Sequence, residues 1–252
     1  MPGAAPGIGF DWCKGEIIMN LWQRMTDFSF LPEYAPYFTN GIICTLLISV
    51  VSVMVAVIPA LLLALMRLSK NKVLKAVSGA YIQLFRSTPL LVQLFIVYFG
   101  PFNVITLPSY KMFGFIDTSI FIPGVVALAL NSSAYVAESI RAGILAVDKG
   151  QTEAARSLGM TQAQTMRYIV LPQAIKNIIP TLANELVTMV KETSVIGYLG
   201  VQDLMWGTKT TVGATYIPLS PYILAAAIYF AINFPAGKAV EALERRMRRG
   251  DK

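Results

Sequence analysis

Long stretches without a charged residue alternate along this chain with short clusters of lysine and arginine. Charge-free windows are informative because an unpaired charge at the centre of a bilayer costs about 2.5 to 3.5 kcal/mol on insertion scales. No charge falls between Tyr34 and Met66, and Gly41 to Met66 (GIICTLLISVVSVMVAVIPALLLALM) exceeds the ~20 residues that cross the hydrocarbon core. A second window, Ala76 to Tyr98, holds only Arg86, and a third, Ile120 to Ile140, holds only Glu138. The fourth, Ile178 to Leu199, is interrupted by Glu185, Lys191 and Glu192, and the fifth, Pro221 to Gly237, sits inside a charge-free run from Thr210 to Gly237. The pattern predicts an all-α membrane protein with five transmembrane helices.

Lysine and arginine set the orientation. Fifteen of them fall after the first span, between spans three and four, and in the tail, against four (Lys14, Arg24, Lys111, Lys209) on the other side. The positive-inside rule then puts the N-terminus outside and the C-terminus in the cytoplasm. The net charge of +7 follows from this asymmetry and needs no nucleic-acid partner. The start of the chain has no charged start, short apolar core and small-residue cleavage site of a signal peptide. Residues 1–39 are expected to form an extracytoplasmic segment with a PGAAPG opening and an interfacial helix over Ile17 to Phe30. Residues 40–237 form the membrane domain. The basic tail 238–252 either lies along the membrane surface or continues the last helix.

Composition narrows the chemistry. Of 252 residues, 55% are hydrophobic and 14% charged, against about 25% charged in ordinary soluble domains, and mean hydropathy is +0.59. There is no histidine, which removes Ser-His-Asp and Cys-His catalysis and His-ligated zinc. Cys13 and Cys44 lack metal-ligand spacing, and no metal site is expected.

The stretch between the third and fourth windows, about 141–172, is too patterned for a plain connector. In GQTEAARSLGMTQAQTMRYIVLPQA, Thr152 can cap a short helix from Glu153 to Leu158, ended by Gly159. Thr161 and Gln164 fit a capping box that opens a second helix with Met166, Ile169 and Val170 on its apolar face, expected to stop at Leu171 and Pro172. Read alone, this is a helical hairpin covering the base of a bundle.

The spacing resembles the EAA loop of ABC importer permeases: Glu153-Ala154-Ala155, three residues, Gly159, nine residues, Ile169, one residue, Leu171-Pro172. GIICTLLIS, YIQLFRSTPLLVQLFIVYFG, NSSAYVAESIRAGI and LPQAIKNIIPTLANELVTMVKETSVIG resemble the polar amino acid branch of that superfamily, from about Gly41 to the tail. The resemblance implies a multi-pass permease subunit of the bacterial plasma (inner) membrane, paired with a second permease chain of the same or a sister sequence. It implies two ATPase subunits below and an extracytoplasmic amino-acid-binding protein above. The EAA residues would seat in the ATPase and couple ATP-driven closure to alternating access. ATP and Mg would sit on the partner ATPase, and this chain, which has no GxxxxGK[ST] loop, is expected to bind no cofactor and to be no enzyme.

Ionisable and polar groups inside spans are the candidate substrate-binding residues: Arg86, Ser87, Thr88, Asn131, Ser132, Glu138, Glu185, Lys191, Thr193 and Ser194. Arg86 precedes Ser87-Thr88-Pro89, and the proline loosens the helix as in the broken helices of transporters. Its guanidinium suits an amino acid's carboxylate; snorkelling, or pairing with Glu138 or Glu185, is the structural alternative. Asn131 to Ser133 can bind an ammonium group or simply pack helices. Lys191 and Glu192 point to different faces, so at least one needs another partner. A permease for another small solute, and an ATP-independent channel or carrier, stand as the other readings. Transport that persists without an ATPase would mark the latter.

Overall fold

A computed structural model describes residues 21–105 and 107–248. The expected interfacial helix Ile17 to Phe30 is helical over residues 21–26 (α1) in its described part, and the PGAAPG opening lies outside the described residues. The first window lies within α2, Leu31–Leu68. Pro36 and Pro59 lie inside α2, where neighbouring groups can take up the freed backbone carbonyls. The third window is α6, Thr118–Leu145, and the fifth opens α11, Ser220–Arg248, so the basic tail continues the last helix as far as it is described. Among the described residues these three helices are long and apolar enough to cross a membrane.

The second window is not a straight span. It divides into α3, Lys72–Ser87, and α4, Leu90–Phe99, which runs on through the short α5, Pro101–Val104, with a bend of 110° at the break. Pro89 has no N–H to continue the ladder and restricts Thr88 to an extended backbone, which is the physical cause of the division. The fourth window becomes α9, Leu171–Glu192, followed by a 3-10 turn from Thr193 to Leu199. A β-hairpin and a further helix are not expected from the sequence. A two-stranded hairpin, β1 Lys111–Met112 with β2 Ile116–Asp117, turns through Phe113 and Gly114, both at positive φ. A further helix, α10, Leu204–Thr215, is capped by the Asp203 carboxylate accepting from Trp206 N–H.

α2 and α6 form the central pair. Thr45, Ser49, Ser52, Ala56, Ala60 and Ala64 repeat at three- and four-residue spacing on the buried side of α2, and small side chains let helix backbones approach closely in lipid. Ile43, Val50, Met54, Ile58, Leu61 and Leu65 on the same helix are exposed in the single chain. The core divides in two along α6: Ile48, Leu94, Leu128, Met189 and Ile196 pack at one level, and Ala60, Ile82, Ala137, Ala174 and Ile178 at the other. α10 lies against the start of α2, where a Cβ on Gly41 would come within 2.7 Å of the Leu204 backbone.

Candidate functional site

Two places collect the chemistry. The first is the helical hairpin between α6 and α9. Its first helix, α7, spans Lys149–Ser157 and is capped by Asp148, which accepts from Gly150 N–H. Thr152 therefore lies inside α7 and is not its cap: Asp148 stands four residues earlier, and its carboxylate takes the free N–H of Gly150 in the first turn. At the other end Gly159 adopts φ +84, Met160 N–H bonds Ala155 O at 3.1 Å and Gly159 N–H bonds Arg156 O at 3.0 Å. This 6→1 and 5→2 pair closes the last turn on a left-handed residue. The capping box is formed as its residues require: Thr161 Oγ1 accepts from Gln164 N–H, and Gln164 Oε1 accepts from Thr161 N–H at 2.8 Å.

Leu171-Pro172 does not end the second helix. α8, Gln162–Thr165, passes through one π turn, Met166–Val170, directly into α9. Leu171 N–H reaches back five residues to Met166 O, and this wider turn admits the Pro172 ring without breaking the helix. Ala155 is buried against the rest of the hairpin, whereas Glu153, Ala154 and Leu171 are exposed and Leu158 is 85% exposed. Ile169 is half-buried. An EAA helix with an exposed apolar tip and a rigid glycine turn can press into a cleft on another protein.

The second place is an open cavity of about 760 Å³ walled by the end of α3, the second half of α6, the middle of α9 and the second half of α11. Arg86, Tyr135, Glu138, Asn177, Asn184 and Glu185 line it, with Glu241 and Glu244 from α11. The Arg86 guanidinium lies 5.5 Å from the centre of the Tyr135 ring, a cation–π distance. Glu185 Oε1 accepts from the buried Ser132 hydroxyl at 2.8 Å, which fixes one carboxylate oxygen. The cavity thus holds cations, Arg86 of α3 and Lys176 of α9, together with carboxylates of α6, α9 and α11, and groups of both signs are what a zwitterion needs.

The remaining sequence candidates are held by partners within the chain or lie away from the cavity. Glu138 lines the cavity but is held by Arg141 of its own helix, Nε donating to Oε2 at 2.9 Å and Nη2 to Oε1. Ser87 Oγ accepts from Gln83, and Thr88 Oγ1 donates to Leu84 O at 2.8 Å. Asn131 is buried, its amide donating to Gln93 Oε1 at 2.8 Å. Thr193 is buried and donates to Val190 O, Ser194 is half-buried, and Lys191 is exposed; none of the three lines the cavity. Tyr135 and Gln93 were missed by the sequence reading. An aromatic four residues past Asn131 on the same helix face was the signal available for Tyr135.

The chain matches the family described as "Binding-protein-dependent transport system inner membrane component" over residues 52–249. It is 38% identical over 223 residues to a putative glutamine transport system permease protein of Rickettsia conorii, covering 87% of this chain and 98% of that one. It is 41% identical over 226 residues to the arginine transport system permease protein of Bacillus subtilis, covering 89% and 99%. Among solved structures it resembles an amino acid ABC transporter crystallised with histidines, at 45% identity and a TM-score of 0.78, covering 87% of this chain and 98% of that one. A methionine ABC transporter in an inward-facing conformation shares the fold alone, at 22% identity and a TM-score of 0.63, covering 82% and 96%. With its apolar helices, its hairpin between α6 and α9, and a match spanning most of its length, this multi-pass membrane protein belongs to the family of inner-membrane components of binding-protein-dependent transport systems.

Proposed function

We propose that the chain is the permease subunit of an ATP-driven importer that carries a polar amino acid, delivered by a binding protein, across a bacterial inner membrane. The observation that carries this reading is the cavity with Arg86 on one wall and the Ser132-oriented Glu185 on another, positions suited to an α-carboxylate and an α-ammonium. The glutamine and arginine permeases named above support the solute class. In this reading α2, the bent α3–α4 pair, α6, α9 and α11 are five crossings, with the N-terminus outside and the C-terminus in the cytoplasm. The basic clusters and the exposed α7–α8 hairpin then share the cytoplasmic side, where ATPase subunits holding ATP and Mg would dock on the exposed Glu153, Ala154, Leu158 and Gly159, with Ala155 packing the helix from inside. α9 crosses despite Glu185, Lys191 and Glu192 because Glu185 faces a polar cavity, where such groups are tolerated. A second permease chain would complete the pathway.

The test is ATP-driven uptake of labelled amino acids by the complete complex in liposomes. Arg86→Ala and Glu185→Gln should each reduce uptake at least ten-fold while the complex still assembles and hydrolyses ATP. Full uptake in both variants would remove the cavity as the binding site, and uptake that needs no ATPase would replace the importer with a carrier.

A further inference from the structure

α3 ends at Ser87 in the middle of the second window, and its last carbonyls have no helical donor above them. In lipid such groups must find partners inside the protein. The Leu84 carbonyl takes the Thr88 hydroxyl. The Phe85 and Thr88 carbonyls are both met by one side chain, Gln93, whose Nε2 lies 2.8 Å from Phe85 O and 3.0 Å from Thr88 O. Gln93 comes from the far side of the break, on α4. Its own Oε1 accepts from Asn131 Nδ2 of α6 at 2.8 Å, and Asn131 also approaches Phe85 O at 3.4 Å. Gln93 is 6% exposed and Asn131 3%, and neither lines the cavity.

Arg86 and Ser87 lie between these clamped carbonyls. Asn131 holds the backbone just before Arg86, and Tyr135, one turn further along α6, lies beneath the Arg86 guanidinium. We infer that Gln93 and Asn131 are positioning residues: together they lock the α3–α4 break and so aim Arg86 at the carboxylate of the transported amino acid. This rests on the reading of Arg86 as a substrate-binding group. Only a primary amide does both tasks at position 93, because it donates to the carbonyls below and accepts from α6 beside it.

The test compares Gln93→Leu, Asn131→Leu and the double variant with Arg86→Ala in the reconstituted complex. Each single latch variant should raise the apparent KM for uptake at least ten-fold with Vmax within two-fold. The double variant should resemble either single, since one connected network is lost once. Amide hydrogen exchange over residues 85–93 should accelerate in the latch variants and stay unchanged in Arg86→Ala. If Gln93→Leu does not assemble, Gln93→Met, which keeps the length of the side chain and removes its hydrogen-bonding groups without adding a charge, replaces it. An unchanged KM in the latch variants, whatever their exchange, alongside a raised KM in Arg86→Ala overturns the positioning role. Additive single effects overturn the shared latch. An unchanged KM in Arg86→Ala overturns the binding assignment itself.

Discussion

The α7–α8 hairpin takes its shape from bonds between near neighbours, whereas the cavity wall around Arg86 is assembled from α3, α6, α9 and α11. In the hairpin, Asp148, Gly159, Thr161 and Gln164 each satisfy a backbone group within five residues of themselves. Between separate helices, Ser132 meets Glu185 across 53 positions and Gln93 meets Asn131 across 38. The hairpin is thus specified locally, whereas the cavity wall depends on contacts between separate helices. Damage to the first should disconnect the machine without loosening it; damage to the second should alter binding or the bundle itself.

The largest effect expected on this contrast is at Gly159. Its φ of +84 costs a side-chain-bearing residue about 1 to 2 kcal/mol, although nothing within 4 Å would obstruct a Cβ. Gly159→Val should leave the chain inserted and ATP hydrolysis running while uptake falls at least ten-fold; Gly159→Asn, which tolerates this conformation, should fall less. Coupled uptake at the normal rate in Gly159→Val would break the coupling role of the hairpin. Gly41 is the counterpart in the bundle: its Cβ would stand 2.7 Å from the Leu204 Cα, a backbone atom that cannot swing aside. Gly41→Ala should cost about 1 to 3 kcal/mol and lower the thermal midpoint in detergent. Gly213→Ala, where nothing lies within 4 Å, should be neutral or slightly stabilising. Equal midpoints for the two would show that α2 and α10 do not pack as described.

Thr161→Ala removes one capping acceptor and should cost about 1 kcal/mol locally. It should be seen as faster amide exchange over residues 162–165 with uptake reduced less than two-fold. The smallest effect is at Asp117, the half-buried cap of α6. Hydrogen bonds from the Ser119 hydroxyl, Ser119 N–H and the Ser109 hydroxyl hold its carboxyl below the ordinary value of 3.8. A carboxyl lowered on folding stabilises the fold above its unfolded pKa and loses that contribution as pH falls through the folded one. The small difference in thermal midpoint between the native chain and Asp117→Asn should stay constant from about pH 8 to 5, and shrink only below the ordinary range. A difference that changes near neutrality would point to another titrating group.

Much of the fold was legible. Apolar windows identify α2, α6 and α11 because the cost of a charge in lipid depends on composition along one helix. The Thr161–Gln164 box and the Gly159 turn were legible for the same local reason. The first cap was misread because Asp148 and Thr152 are both competent caps, and only the geometry of the chain leaving α6 decides between them. The Leu171-Pro172 stop failed because a π turn absorbs the proline. α10 was invisible to a search for crossings, since a 12-residue helix need not span anything.

What the sequence determined by itself is the membrane-embedded helical class, the basic asymmetry and the EAA hairpin, all properties of residues within a few turns of one another. Tertiary structure alone decided which polar groups share the cavity. Arg86 and Glu185 both line it, with Ser132 bonded to Glu185 from behind, while Asn131 turns away to Gln93 and Thr88 to the carbonyl of Leu84. The reason is physical: in lipid every polar group must find a partner, and whether that partner is the solute's cavity or a broken helix end depends on which helices touch.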